Sequence, residues 1–555
     1  MQSFFHFNLD ILKIKLSFFY IFAPLFSISQ DNTIGTLFVD IENSLPGYNL
    51  FYPNNQSSVF LVDNCGQVIN VWEDVDNSRP GTAYITKEGN LLRSKTNGDL
   101  VNNTFGAGGA AGVIELLNWE NELIWRKVIA DSITRQHHDI FEMPNRNILF
   151  IAWERKFEEE IKELGFDTIN NNQDDLWFDC IVEYNPQLDS IVWRWCSYDH
   201  TIQDFDSTKA NFGIVSENPQ LIDINYQEFS FGRQDFMHSN SVAYNPDLDQ
   251  VVLSVRNFSE VWIIDHSTTM DEAASSNGGN QKKGGNLLHR WGNPKAYMQG
   301  DSTDKILHYQ HDAKWVLDSS SPYFGEILVY NNMVADEVSY GTIYNAPIDE
   351  NGNYIIENQR FLPQSQTRNI SHPDTVKQHS TAGSNIQLLP NGNFLLNAAR
   401  QGRVIELTDD EIPVWEYLIP IKMGQIAPQG TELSLSDNFN FKTIRYSTDY
   451  EGFEGKDLST KGYLELDPNQ NFCVLSPAQE IIKTTPKLYP NPTNDYIYLD
   501  NDQSFSTYQI YNSLGNLITE SRSWNSNQID VSFLQNGTYF IHLDRKVNLL
   551  FTIVR

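Results

Sequence analysis

Short apolar runs closed by turn residues, rather than a helical period, organise this chain. The clearest unit is Gln136-His137-His138-Asp139-Ile140-Phe141-Glu142-Met143-Pro144-Asn145-Arg146-Asn147-Ile148-Leu149-Phe150. It reads as a strand, a Pro-Asn-x-Asn turn and a returning strand. The unit recurs at Gly383-Ser384-Asn385-Ile386 through Asn391-Gly392-Asn393 to Leu396, and in the same register at Met237 to Val242 with its return at Gln250 to Arg256. A fourth copy runs from Gln310 to Trp315 and returns from Ile327 to Tyr330. Asp139, Asn240, Asp312 and Asn385 share one aligned position, preceded by His-His, His-Ser, Gln-His and Gly-Ser.

A second marker is a turn followed by a strand that ends in Trp. It appears at Asn64 to Trp72, Glu120 to Trp125, Asp189 to Trp193, Gly285 to Trp291 and Asp409 to Trp415, and Glu350 to Ile356 reads as a sixth copy without the Trp. The tryptophans are expected to pack between repeats. One short helix is predicted between Arg155 and Leu164. These repeats predict an all-β chain whose body is a six-bladed β-propeller with insertions, the alternative being a two-sheet sandwich or two β domains. After Ser476, the prolines 477, 486 and 490 mark a linker, and the remaining tail reads as a small β-sandwich with turns at Gly515-Asn516 and Asn536-Gly537.

Composition narrows the class. The 555 residues carry a formal net charge of −32, which argues against a nucleic-acid partner, and 13% aromatic residues, too many for a disordered acidic chain. Residues 1–29 read as a signal peptide: Lys13 and Lys15 precede the apolar run Leu16 to Phe26, and Ser27-Ile28-Ser29 offers a cut before Gln30. Of the four cysteines, Cys180 and Cys196 flank a predicted hairpin and are the favoured pair, with the other pairings left open.

In a propeller the inner strand of every blade faces a central channel, so aligned positions converge on its mouth. That brings His137 or His138, His238 and His311 to one place, with Asn240 near them. Arg256, at the end of the strand returning from His238, can aim a guanidinium at the same point. Imidazoles with one Arg suit an anionic group, and neutral imidazole is a competent nucleophile near pH 7. Three histidines could instead hold a metal, a reading that Arg256 opposes. His266, His289, His308 and His372 read as structural groups, and His200 and His379 as residues that could reach the channel. No Gly-rich phosphate loop or dinucleotide fingerprint is present, so no cofactor is expected.

The residues His137-His138-Asp139, Met237-His238-Ser239-Asn240, Arg256, Arg290-Trp291-Gly292-Asn293-Pro294, Gln310-His311-Asp312-Ala313 and Ile444-Arg445-Tyr446 through Tyr450 resemble the aryl-sulfate sulfotransferases, a PAPS-independent family with a six-bladed propeller. The resemblance implies transfer of a sulfuryl group from a phenolic sulfate to a phenol by a ping-pong route, with His311 as nucleophile. His238, Asn240, Arg256 and the His137/His138 pair would bind the sulfuryl oxygens and move the phenol proton. It implies no metal and no cofactor. The tail motifs Tyr489-Pro490-Asn491-Pro492, Ile510 to Gly515 and Leu534 to Phe540 resemble the C-terminal sorting domain of the type IX secretion system of Bacteroidetes. That resemblance implies Sec export followed by secretion to the cell surface, with the type IX machinery as partner. The expected organisation is signal peptide 1–29, propeller 30–478, linker 479–486 and sorting domain 487–555. Two other functions use the same chain: a surface propeller that binds glycans or peptides without chemistry, and a sulfate-ester hydrolase.

Overall fold

The structure is a computed structural model that describes residues 32–555 except 97–104, 172, 228–233, 471, 474–486, 501–506, 513–515, 522–527 and 544–546. The expected signal peptide and linker lie outside the described residues. The chain divides into two compact units, 1–473 and 474–555.

In the first unit the described residues form six antiparallel sheets of four or five strands, the blades of a β-propeller, together with short two-stranded ribbons. The innermost strands are Pro80–Ile85, Thr134–Glu142, Ser239–Asn245, His311–Trp315, Asn385–Leu388 and Asn440–Ser447. Four of them are the strands marked by the aligned Asp/Asn position. The other two, Pro80–Ile85 and Asn440–Ser447, lack that marker. Asn440–Ser447 pairs with Gly47–Pro53, so the end of the unit supplies the inner strand of its first blade. At the other end Gly35–Val39 pairs with Pro413–Leu418 as the outer strand of the last blade. The ring is thus closed by both ends of the unit. Cys65 and Cys473 reinforce the closure with a disulfide spanning 408 residues, and in a chain-entropy account so long a loop contributes about 6 kcal/mol. Cys180 and Cys196 are also joined, directly opposite each other on neighbouring strands.

The aligned polar residues stitch one blade to the next. Asp139 accepts from the Tyr84 hydroxyl at 2.6 Å and from Val242 N at 3.2 Å. Asn240 donates to Gln310 O at 2.8 Å, and Asn385 exchanges two bonds with the Thr443 backbone. At the centre Lys442 Nζ lies 2.8 Å from Asp139 and 2.9 Å from Asp312, all three buried. Burial alone would drive an ammonium to lose its proton, but the two carboxylates hold Lys442 well above the ordinary lysine value.

Trp72, Trp193 and Trp291 lie on outer strands and are buried, and Trp415 is buried on Pro413–Leu418, the strand next to the outermost in its five-stranded sheet. Trp125 also lies on an outer strand and packs against Tyr184 at 5.7 Å. The expected sixth copy differs: Ile356–Glu357 pairs with Arg360–Phe361 in a separate ribbon, and the outer strand of that blade is Arg368–Ile370. Its Asn-Gly turn is real, Gly352 having φ +82°, but a turn signal does not tell which sheet receives the strand that follows. The expected helix is the single turn and a half Glu158–Glu163.

The second unit consists, among its described residues, of a three-stranded and a four-stranded antiparallel sheet. Ile497, Ile510, Ile529, Val531, Leu534, Ile541, Leu543, Phe551 and Ile553 form its core.

Candidate active site

A cavity of about 740 Å³ opens at the mouth of the channel. His138, His238, His311 and Arg256 line it, with Arg79, Arg135, Phe439, Phe441 and the backbone of Gly108, Gly109 and Gly383. The inner strands deliver these side chains through irregularities at their entrances. Pairing slips between Phe150 and Ala152, opposite the histidine pair, and at Ser239/Ser241 and His311/Lys314. His138, His238 and Asp312 have φ of +51°, +55° and +62°. Such bulges break the strict in–out alternation and re-aim a side chain, and here they let residues beside the stitching positions turn into the cavity.

Each histidine has a different partner behind it. His311 Nδ1 is 2.8 Å from Asn332 Oδ1, and the Asn332 amide nitrogen donates to Ser380 O and Gly383 O at 2.9 and 3.0 Å. Those two carbonyls fix which end of the amide faces the ring, so His311 must carry its proton on Nδ1 and present the Nε2 lone pair. Nε2 accepts from Gly383 N at 3.1 Å. Burial, reinforced by Arg256, depresses the His311 pKa to about 3, so the ring is neutral at neutral pH. His238 is backed by the carboxylate of Asp235, which also accepts from Trp153 Nε1 at 2.9 Å. Burial works against that carboxylate, yet His238 and His137 hold it below the usual range. A carboxylate-backed imidazole is suited to exchanging a proton.

His138 rather than His137 reaches the cavity. Its ring centroid lies 4.6 Å from that of His238, and the Phe441 ring lies 6.0 Å from it and 6.1 Å from His311. Burial and the neighbouring His238, His137, His311 and Arg256 push the His138 pKa well below the ordinary imidazole value. His137 sits behind, fully buried, stacked on Trp153 at 4.0 Å with its Nδ1 2.8 Å from that of His138. Asp179 lies 3.2 Å from His137 Nε2, without the alignment of a hydrogen bond. Asn240 is buried in the blade-to-blade stitching and does not line the cavity. Arg256 lies over the Tyr309 ring at 5.0 Å. Of the other histidines, His200 bonds Ala273 O and Asn286, His266 sits between Asp249 and Glu183, and neither lines the cavity, nor does His379. Among the described residues the one group of three metal-ligating side chains is Glu154, Cys180 and Cys196, whose sulfurs form a disulfide.

Asp235 and Asn332 were not legible in the sequence. Asp235 had one signal, a position three residues before His238; Asn332 had none. The loop from Phe105 to Gly112 was also missed. His138 N donates to Gly109 O at 2.8 Å, and Gly109 has φ +79° with its α-carbon against the His138 ring. A methyl group there would collide with the imidazole. Gly109→Ala is expected to displace His138 and lower kcat by about 10²-fold, the usual result of misplacing a catalytic group by about 1 Å. An unchanged kcat would show that the His138 ring position does not limit turnover.

Residues 47–403, more than half of the chain, match the Arylsulfotransferase (ASST) family. The chain belongs to this family. Membership supports aryl sulfotransferase activity in general. Residues 487–552 match the secretion system C-terminal sorting domain, which supports secretion or surface attachment. No curated protein matches the sequence. Solved structures resemble it loosely. A protein of unknown function from Bacteroides caccae is 10% identical over 72% of this chain and 98% of its own, at a TM-score of 0.40. The Pseudomonas aeruginosa periplasmic gluconolactonase PpgL is 11% identical over 71% and 87%, at 0.33, and the Dos1 propeller 7% identical over 66% and 63%, at 0.29.

Proposed function

We propose that this arylsulfotransferase-family chain moves a sulfuryl group from a phenolic sulfate ester to a phenol through a sulfohistidine on His311. The observation that carries the reading is the state of that ring: it lines the cavity, neutral, with its proton held on Nδ1 by Asn332 and its Nε2 unprotonated, accepting from Gly383 N. In the first half-reaction the Nε2–S bond forms and the S–O(aryl) bond breaks. The departing phenolate takes a proton from His238, with His138 beside it. In the second, a phenol gives its proton back to His238, its oxygen attacks sulfur, and the Nε2–S bond breaks. Little covalent work is required beyond positioning and stabilising charge on the sulfuryl oxygens. Arg256 supplies a planar, permanently charged donor for them. Gly383 N–H, which bonds Nε2 in the resting state, loses that acceptor once sulfur occupies Nε2 and turns to a sulfuryl oxygen. His137 and Asn240 support the reaction from behind, by fixing His138 and the adjoining strand. Phe439 and Phe441 offer apolar faces to the aryl ring.

The test is 4-nitrophenyl sulfate with and without phenol. One equivalent of nitrophenol is expected in a burst without acceptor, and continuous release with formation of phenyl sulfate when phenol is added. Continuous release without phenol, yielding inorganic sulfate, would make the enzyme a hydrolase. No release in either case would leave a binding propeller. Sec export ahead of type IX secretion completes the proposal, and the same assay on intact cells checks it: activity confined to the cell interior would overturn it.

A further inference from the structure

The cavity carries more positive charge than one sulfuryl group requires. Arg256, His238 and His311 belong to the blades led by Ser239–Asn245 and His311–Trp315. Arg79 and Arg135 line the same cavity from the neighbouring blades, Arg79 just before Pro80–Ile85 and Arg135 within Thr134–Glu142. No Asp or Glu lies among the described lining residues, in a chain of net charge −32.

Arg135 is the informative residue. It is 5% exposed, and among the described residues its hydrogen bonds go to carbonyls, Nε to Ala111 O at 3.2 Å and Nη1 to Phe105 O at 2.6 Å. Among the described residues no carboxylate pairs with it. The other deeply buried arginines are paired: Arg93 with Asp74 and Glu115, Arg290 with Glu260, and Arg445 with Glu406. A buried guanidinium without a counter-ion is costly, and burial alone depresses the Arg135 pKa. This one faces the cavity, and the exposed Arg79 stands at the same rim.

We propose that Arg135 and Arg79 form a second anion subsite, and that the preferred substrates are aryl sulfates and phenols bearing a second acidic group, a carboxylate or another sulfate. The inference rests on the sulfuryl-transfer reading of the histidines. The substrate then lies between two cationic poles, with its reacting oxygen at His311 and His238 and its second acid at Arg135 and Arg79. The cavity volume leaves room for both ends, being of the size that holds drug-like ligands.

Three acceptors of nearly equal phenol acidity test this: 4-hydroxyphenylacetate, its neutral amide 4-hydroxyphenylacetamide, and tyramine. With 4-nitrophenyl sulfate as donor and the full secreted chain, kcat/KM is expected to be at least about tenfold higher for the acetate than for the amide, with tyramine lowest. That is the usual scale of one charge-assisted hydrogen bond. Arg135→Gln and Arg79→Gln should each bring the acetate-to-amide ratio towards one, and Arg135→Lys should restore part of it. Arg79, being exposed, provides a variant that folds even if Arg135→Gln does not. A nitrophenol burst with equal rates for acetate and amide would overturn the second subsite alone. Absence of any burst would overturn the transfer reading, and this inference with it.

Discussion

His311→Asn is expected to abolish the sulfuryl-enzyme adduct. Incubated with 4-nitrophenyl sulfate and no acceptor, the native enzyme should gain the mass of one SO₃ and release one equivalent of nitrophenol, and the variant should do neither. An amide nitrogen is a poor nucleophile at neutral pH, whereas the Nε2 lone pair of a neutral imidazole is available. Arg256→Gln should behave differently. It removes a preorganised donor to charge that the sulfuryl group carries throughout, a loss of about 10²–10³-fold in rate, but it leaves the accepting atom in place. The adduct should therefore still form, slowly. The pH dependence adds a check. Because the His311 pKa is held at about 3, the nucleophile stays neutral well below the ordinary imidazole value. With a leaving group as good as nitrophenolate, the burst rate should not fall with a midpoint near 6.5 as pH is lowered to 5. An adduct on His311→Asn would move the nucleophile to His138 or His238.

The second large effect concerns stability. Lys442→Met should destabilise the propeller by about 3–5 kcal/mol, the usual consequence of removing one partner from a buried ion cluster. Lys442 is 3% exposed and neutralises both Asp139 and Asp312. Without it two carboxylates face each other in the channel, with Lys314 left beside Asp312. The triple change Lys442→Met, Asp139→Asn, Asp312→Asn should recover most of the loss, because the uncompensated charges are gone. Urea unfolding followed by tryptophan fluorescence measures both. If Lys442→Met unfolds at the native midpoint, the cluster contributes nothing to stability. The same cluster has a bearing on catalysis. Asp139 follows His138 and Asp312 follows His311 in sequence, so Lys442 ties together the two strands that carry these histidines.

Much of this protein follows from its sequence because its signals are local. A strand's turn residues and apolar positions lie within a few residues of each other, so the hairpins at 136–150, 237–256, 310–330 and 383–396 could be read directly. Their shared register then placed His137 or His138, His238 and His311 at one channel mouth, since equal positions in repeated blades occupy equivalent places. The Cys180–Cys196 pair was legible for the same reason, its partners being opposite each other in one hairpin. The tertiary structure alone decided what depends on contacts between blades. Pro80–Ile85 and Asn440–Ser447 carry no aligned Asp or Asn, and only closure of the ring makes Asn440–Ser447 the inner strand of the first blade. Lys442 looks like any polar residue in a strand until that closure sets it between two carboxylates from other blades. Asn332 fixes the His311 tautomer, Asp235 backs His238, and Arg135 lacks a counter-ion, all through distances in space that sequence spacing does not encode. The choice between His137 and His138 was hidden as well. A bulge reverses the in–out alternation of a strand, and a bulge is set by the blade it must fit.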